Sequence, residues 1–165
     1  MNSTTFHDLY ERYAPDVYRF ALWLSGDPAE ADDIASETFV RAWSSSSKIQ
    51  TETVKAYLFT IARNLFLKQM QRQKRQVSLA HAANATSSGP QILVEERLAL
   101  AEILQQLQQL PEGERAALIL RVKHELPYAE IARVLGISLS AAKVKVHRAR
   151  LKLTAVRTAW EVTEP

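Results

Sequence analysis

The chain has 165 residues, 47% hydrophobic and 24% charged, with a formal net charge of +3 and a pI near 9.3, which suits one medium or two small globular domains and excludes wholesale disorder. The absence of cysteine excludes disulfides and cysteine-based metal or nucleophilic chemistry. No apolar run is long enough to span a bilayer and the opening stretch MNSTTFHDLYERYAPD carries no apolar signal core, so the expectation is a cytoplasmic protein with no membrane insertion.

Only four glycines are present and long stretches pass without a helix breaker, which predicts an all-α fold. Phe6, Leu9, Tyr10, Tyr13, Val17, Phe20 and Leu24 fall at helical spacing. SGDP, from Ser25 to Pro28, ends that helix and starts another, with Asp27 as N-cap and Pro28 in the first helical position. The second helix, AEADDIASETFVRAW, gives way to the loop-forming SSSSK. Its charges from Asp27 to Glu37 (Asp27, Glu30, Asp32, Asp33 and Glu37) are all negative. Such a stretch repels phosphate and suits a basic protein partner. Preference of acids for a helix N-terminus accounts for Asp27 and Glu30 and less well for Asp33 and Glu37, about two turns in.

A third helix is predicted from about Val54 to Arg75, with Val54, Tyr57, Leu58, Ile61 and Leu65 as its apolar face. It carries Arg63, Lys68, Arg72, Lys74 and Arg75 and no acid, with Asn64 and the aromatics Tyr57, Phe59 and Phe66 interleaved. Basic charge with aromatics and an amide suits single-stranded DNA, whose bases stack on rings. The plainer readings are core packing for Tyr57, packing on a neighbouring helix for Phe59, and a buried backbone-bonded amide for Asn64.

SLAHAANATSSGPQI, Ser78 to Ile92, is small, polar and broken by Gly89-Pro90, as in a linker. All phenylalanines precede it, and only Tyr128 and Trp160 follow it as aromatics. Two separate cores explain that distribution, which predicts two small helical domains, 1–75 and 93–160, joined by a flexible linker, 76–92. Four helices are expected in the second domain: about Leu93 to Leu110, from Pro111 to about His124, Tyr128 to Leu135, and Leu139 to beyond Val156.

The last two have the marks of a helix-turn-helix. Ala132 is small where the second helix crosses, and Gly136 tolerates positive φ in the turn. Ile131, Leu135 and Ile137, then Ala142, Val146, Ala149 and Leu153, pin both helices to a core. Ser138 or Ser140 can cap the final helix and touch a phosphate. With the stripe inward, Ser140, Lys143, Val144, His147 and Arg148 point outward. Lys143, Lys145, Arg148 and Arg150 supply phosphate or guanine contacts, and Val144 suits a thymine methyl in the major groove. The competing reading is a solvated basic helix.

LPYAEIARVLGISLSAAKVKVHRARLKL resembles the promoter-binding C-terminal segment of extracytoplasmic-function (ECF) sigma factors, within the sigma-70 family. Ala141-Ala142 stands where Thr-Val is usual, and Val144-Lys145 where Ser-Arg is usual, which bears on the bases read. DPAEADDIASETFVRAW resembles the family's polymerase-docking helix, and VKAYLFTIARNLFLKQMQRQKR its −10 recognition helix. The resemblance implies a factor without chemistry or cofactor of its own that binds core RNA polymerase and directs promoter recognition and transcription initiation. It implies docking on RNA polymerase through Asp32, Asp33, Ser36, Glu37, Phe39 and Val40, with Ser36 where glutamine is frequent; the β′ coiled coil is the expected partner of this helix, and the β flap is a further expected contact of the protein. Ser47, Lys48, Ile49, Phe59, Arg63, Asn64, Lys68 and Arg72 would hold the opened −10 strand, with Ser46 in the same loop. Ser138, Ser140, Lys143, Val144, Lys145, His147, Arg148 and Arg150 would meet the −35 duplex. An anti-sigma factor is the further expected partner.

A conventional helix-turn-helix regulator with an N-terminal dimerisation or sensing domain explains the second half of the chain. It leaves unexplained an acidic helix followed by an aromatic-basic one. An enzyme fits less well. His7, His81, His124 and His147 are scattered without metal-ligand spacing, and there is neither a glycine-rich phosphate loop nor a GxSxG elbow, so no catalytic or metal residue is assigned.

Overall fold

The structure is a computed structural model that describes residues 3–45, 54–77 and 94–153. Among them are seven α-helices and no strand: α1 (Ser3–Ser25), α2 (Pro28–Ser44), α3 (Val54–Val77), α4 (Val94–Gln108), α5 (Glu112–Val122), α6 (Tyr128–Leu135) and α7 (Leu139–Lys152). The chain divides into two compact units, residues 1–91 and 92–165. The expected capture loop with Ser46, Ser47, Lys48 and Ile49, linker residues 78–92, and the chain beyond Leu153 lie outside the described residues.

In the N-terminal unit, α1, α2 and α3 pack against one another. Gly26, at φ 73°, lets the chain reverse after α1. Asp27 then caps α2 as its sequence position predicts: Oδ1 accepts from the Ala29 amide at 2.9 Å, and Pro28 needs no donor partner in the first turn. The core joins Val17, Phe20 and Leu24 of α1, Ile34, Phe39 and Ala42 of α2, and Leu58, Phe59, Ala62 and Phe66 of α3.

The buried face of α3 therefore differs from the one expected. It runs through Val54, Leu58, Phe59, Ala62 and Phe66, while Tyr57, Ile61 and Leu65 are half-buried along its edge. The apolar residues of α3 cover so wide an arc that periodicity leaves its phase open. Packing fixes it by burying the two phenylalanine rings, with Phe59 against Phe20 at 4.9 Å between centroids. Helix α3 also continues through Val77, two residues past its expected end.

In the C-terminal unit, α7 packs on α5 and α6. Buried Arg115 of α5 ties down the end of α4, its guanidinium donating to the Leu107 carbonyl at 2.9 Å and the Leu110 carbonyl at 3.1 Å. The same guanidinium reaches the carbonyl of Gln108, the last residue of α4, at 3.4 Å, and a helix leaves its last carbonyls without intrahelical partners. Burial lowers the pKa of this guanidinium and neighbouring Glu112 opposes the shift. Gly136 takes the left-handed conformation the turn requires, at φ 66° and ψ 39°, and Ile137 then donates to the Ala132 carbonyl at 3.0 Å. Helix α7 ends at Lys152, short of the expected extension beyond Val156, where Leu153 leaves helical geometry with its side chain buried in the core.

Candidate nucleic-acid interface

Helix α7 presents the outward face. Ser138 is its N-cap, the hydroxyl accepting from the Ala141 amide at 3.1 Å. Ala142, Val146 and Ala149 are buried, with Leu153 just beyond the helix, so the inward stripe is the one read from the sequence. Ser140, Lys143, Val144, His147 and Arg148 are exposed; Lys145 and Arg150 are half-exposed. Val144 keeps 43% of its surface open amid this basic face.

The cations are not equivalent. The Lys143 ammonium sits 5.9 Å from the ring centre of Tyr128 on α6, and the Arg121 guanidinium of α5 stacks on the same ring at 4.4 Å. Lys145 lies along α5, its ammonium 3.1 Å from where a Cβ on Gly113 would stand. Lys152 is held by the buried carboxylate of Glu114 at 2.8 Å. Among the described residues, Lys143, Lys145, Arg148 and Arg150 have no carboxylate partner. Their charge is therefore available to an external anion. The supporting roles of Tyr128, Gly113 and Glu114 were not read from the sequence. Only the isolation of Tyr128 as one of two aromatics after the linker hinted at one of them.

In the N-terminal unit the two expected residue sets meet. Asp33, Ser36, Glu37 and Val40 of α2 and Lys68 and Arg72 of α3 form facing walls of a groove of about 760 Å³. A second hollow of about 500 Å³ joins Glu37 and Val40 to Tyr57, Ile61 and Asn64. Val40 is the most exposed apolar residue here, at 59%. Asn64 is exposed, which removes the buried-amide reading, and Tyr57 is half-buried rather than core. Arg63 is half-exposed. Glu37 holds Arg41 at 3.2 Å on the surface. Asp32 is exposed beside Tyr18, whose hydroxyl pKa is raised by burial and then by this carboxylate.

Two expected contact residues are not on the surface. Phe59 is fully buried, so its ring cannot stack on a base. Phe39 is 4% exposed and packs edge-on against Tyr10 at 4.9 Å, so it supports α2 rather than offering a side chain to a partner. Glu30 is likewise buried: one of its oxygens, Oε1, lacks a hydrogen-bond partner, and its carboxyl pKa is raised, by burial first and by Asp27 and Asp33 after it, while a hydrogen bond with Gln73 opposes the rise.

Residues 9–76 match the profile of sigma-70 region 2, and residues 100–153 that of sigma-70 region 4. The chain is 33% identical over 159 residues to the ECF RNA polymerase sigma factor SigM of Bacillus subtilis (strain 168), with 92% of this chain and 94% of that protein covered. The chain belongs to the ECF sigma factors. It is 34% identical over 143 residues to the ECF sigma factor EcfG of Rhodopseudomonas palustris (strain TIE-1), covering 86% and 79% of the two chains. Among solved structures, the sigma factor RpoE in complex with the anti-sigma factor NepR from Bartonella quintana matches with a TM-score of 0.80 at 27% identity, over 93% of this chain and 97% of that one. CnrH, in complex with the cytosolic domain of CnrY, matches with a TM-score of 0.72 at 26% identity, over 96% and 90%. An ECF sigma factor binds core RNA polymerase and directs it to promoters, and the regulator alternative does not account for the region 2 match. Among the described residues no helix is long and apolar enough to cross a membrane.

Proposed function

We propose that the two units divide promoter recognition between them. The N-terminal unit docks on core polymerase through Asp32, Asp33, Ser36, Glu37 and Val40, and holds the opened −10 strand with Arg63, Asn64, Lys68 and Arg72. The loop residues Ser47, Lys48 and Ile49 join it there. The C-terminal unit sets α7 in the major groove of the −35 duplex, and residues 78–92, after the end of α3, connect the two. The protein acts in the cytoplasm as a binding factor and not as an enzyme. RpoE of B. quintana forms a complex with the anti-sigma factor NepR, and a partner of that kind is expected here.

The observation that carries this reading is the outward face of α7. Among the described residues its Lys143, Lys145, Arg148 and Arg150 lack carboxylate partners, and it stands on a left-handed turn that fixes its angle to α6. Helix-turn-helix modules dock in that manner, with phosphate contacts giving position and base edges giving sequence. The test is run-off transcription from a genomic fragment library, with cognate core polymerase in the presence and absence of the protein. New start sites that share two spaced elements are expected. A competent core that gains no start site overturns the reading.

A further inference from the structure

A helix turns about 100° per residue. On that count Ser140, Val144, His147 and Leu151 share the arc of α7 opposite its buried stripe of Ala142, Val146 and Ala149. Lys143 and Arg150 lie on one flank of this crest, Lys145 and Lys152 on the other. Contacts with the neighbouring helices reinforce the separation. Lys143 leans on Tyr128 of α6, Lys145 runs along α5 beside Gly113, and Lys152 is drawn to Glu114 of α5. The lysine charge is held to the sides, where the two phosphate backbones of a major groove run, and Arg148 alone brings charge near the crest. What faces the groove floor is a crest without lysine, and its centre is an isopropyl group with 43% of its surface open.

We infer that Val144 is a specificity-determining residue, reading the 5-methyl group of one thymine in the −35 duplex, while the flanking lysines position α7 on phosphates. The inference rests on the proposed docking of α7 in that duplex. The chemistry follows from the four base edges. In the major groove only thymine offers an apolar group, whereas the other edges offer hydrogen-bond donors and acceptors alone. A valine over a donor or acceptor would strip it of water and give nothing back. Over the methyl, it removes two apolar surfaces from water together. Ser140 lies one turn before Val144, and Arg148 one turn after. Arg148 is the one arginine near the crest, placed for a guanine close to that thymine.

The experiment uses the full chain bound to core polymerase, on a promoter obtained from the run-off screen. Each −35 thymine is replaced singly by deoxyuridine, which removes only the methyl group. With the wild-type chain, uridine at one position is expected to weaken promoter binding about fourfold, the worth of one buried methyl-sized group. With Val144→Ser the parent promoter binds about fourfold more weakly and that uridine has no further effect. Val144→Thr, which keeps the shape and one methyl, falls between them. A −35 element without thymine on either strand, wild-type indifference to every uridine, or undiminished discrimination by Val144→Ser would each overturn the inference. Footprinting separates the two levels. Protection of the −35 duplex with silent uridines sinks the thymine assignment alone. Initiation without −35 protection sinks the docking of α7 and the assignment with it.

Discussion

Glu30 stands in a run of acids, yet it does not behave as a surface charge. Its own burial, then its neighbours Asp27 and Asp33, raise its carboxyl pKa, and one oxygen is left without a partner. The folded protein therefore takes up a proton here more readily than the unfolded chain. Stability from this residue is fullest below the ordinary carboxylate value of 4.5 and is lost as pH rises through the higher folded-state value. Glu30→Gln removes the charge and keeps a polar group for Gln73. The variant is expected to melt above the wild type at pH 7, with the gap closing near pH 4. Fluorescence from Trp23 and Trp43, both in the N-terminal unit, follows the transition. A variant that melts lower at pH 7, or by a margin independent of pH, contradicts the account. Residue by residue, legibility follows the range of the interaction. Asp27 was readable because a cap is made with the next few amides. Glu30, Phe39 and Phe59 were not, because their burial depends on which neighbouring helix comes to lie over them.

At the scale of elements, the helix-turn-helix was nearly complete in the sequence because its signals are local and mutually consistent. Gly136 marks the turn, Ser138 the cap, and Ala142, Val146 and Ala149 the inward stripe. Helix α3 was harder, since apolar residues surround most of it and only packing chose its phase. The end of α7 at Lys152 was not legible, because no glycine or proline marks it and Leu153 continues the inward stripe while its backbone leaves helical geometry. The Ser138 cap also allows fold and binding to be separated. Ser138→Ala removes the acceptor for the Ala141 amide and is expected to cost the C-terminal unit about 1 kcal/mol. Ser138→Asp restores an acceptor, with a charge that the helix N-terminus favours, so thermal stability should stay near that of the wild type. That same carboxylate faces phosphate if α7 sits in the groove. Promoter binding by the polymerase-bound Asp variant should therefore fall at low salt, although the protein is fully stable. Undiminished affinity of the Asp variant would mean that this helix end lies away from DNA.

At the scale of the whole molecule, one chain must satisfy partners of opposite charge. Exposed acid and Val40 lie on α2, while α7 carries Lys143, Lys145, Arg148 and Arg150, which have no carboxylate partner among the described residues. A net charge of +3 conceals this segregation because it averages over both. The consequence is a pair of variants with opposite failures. Asp33→Lys reverses a surface charge that has no structural partner among the described residues. It should leave folding intact and weaken association with core polymerase, measured by co-elution or polarisation. Lys143→Ala with Lys145→Ala, the two flanking lysines without a carboxylate partner among the described residues, should leave that association unchanged. It should weaken promoter binding by the assembled enzyme and lower the slope of log K against log salt by about 2, since each phosphate that the protein neutralises adds about 0.9 to it. A solvated basic helix would show no change in slope. A dimerising regulator would show the slope change without any need for core polymerase, and Asp33→Lys would then leave promoter binding untouched. Only a factor that grips polymerase with one unit and duplex DNA with the other gives both failures, each confined to its own partner.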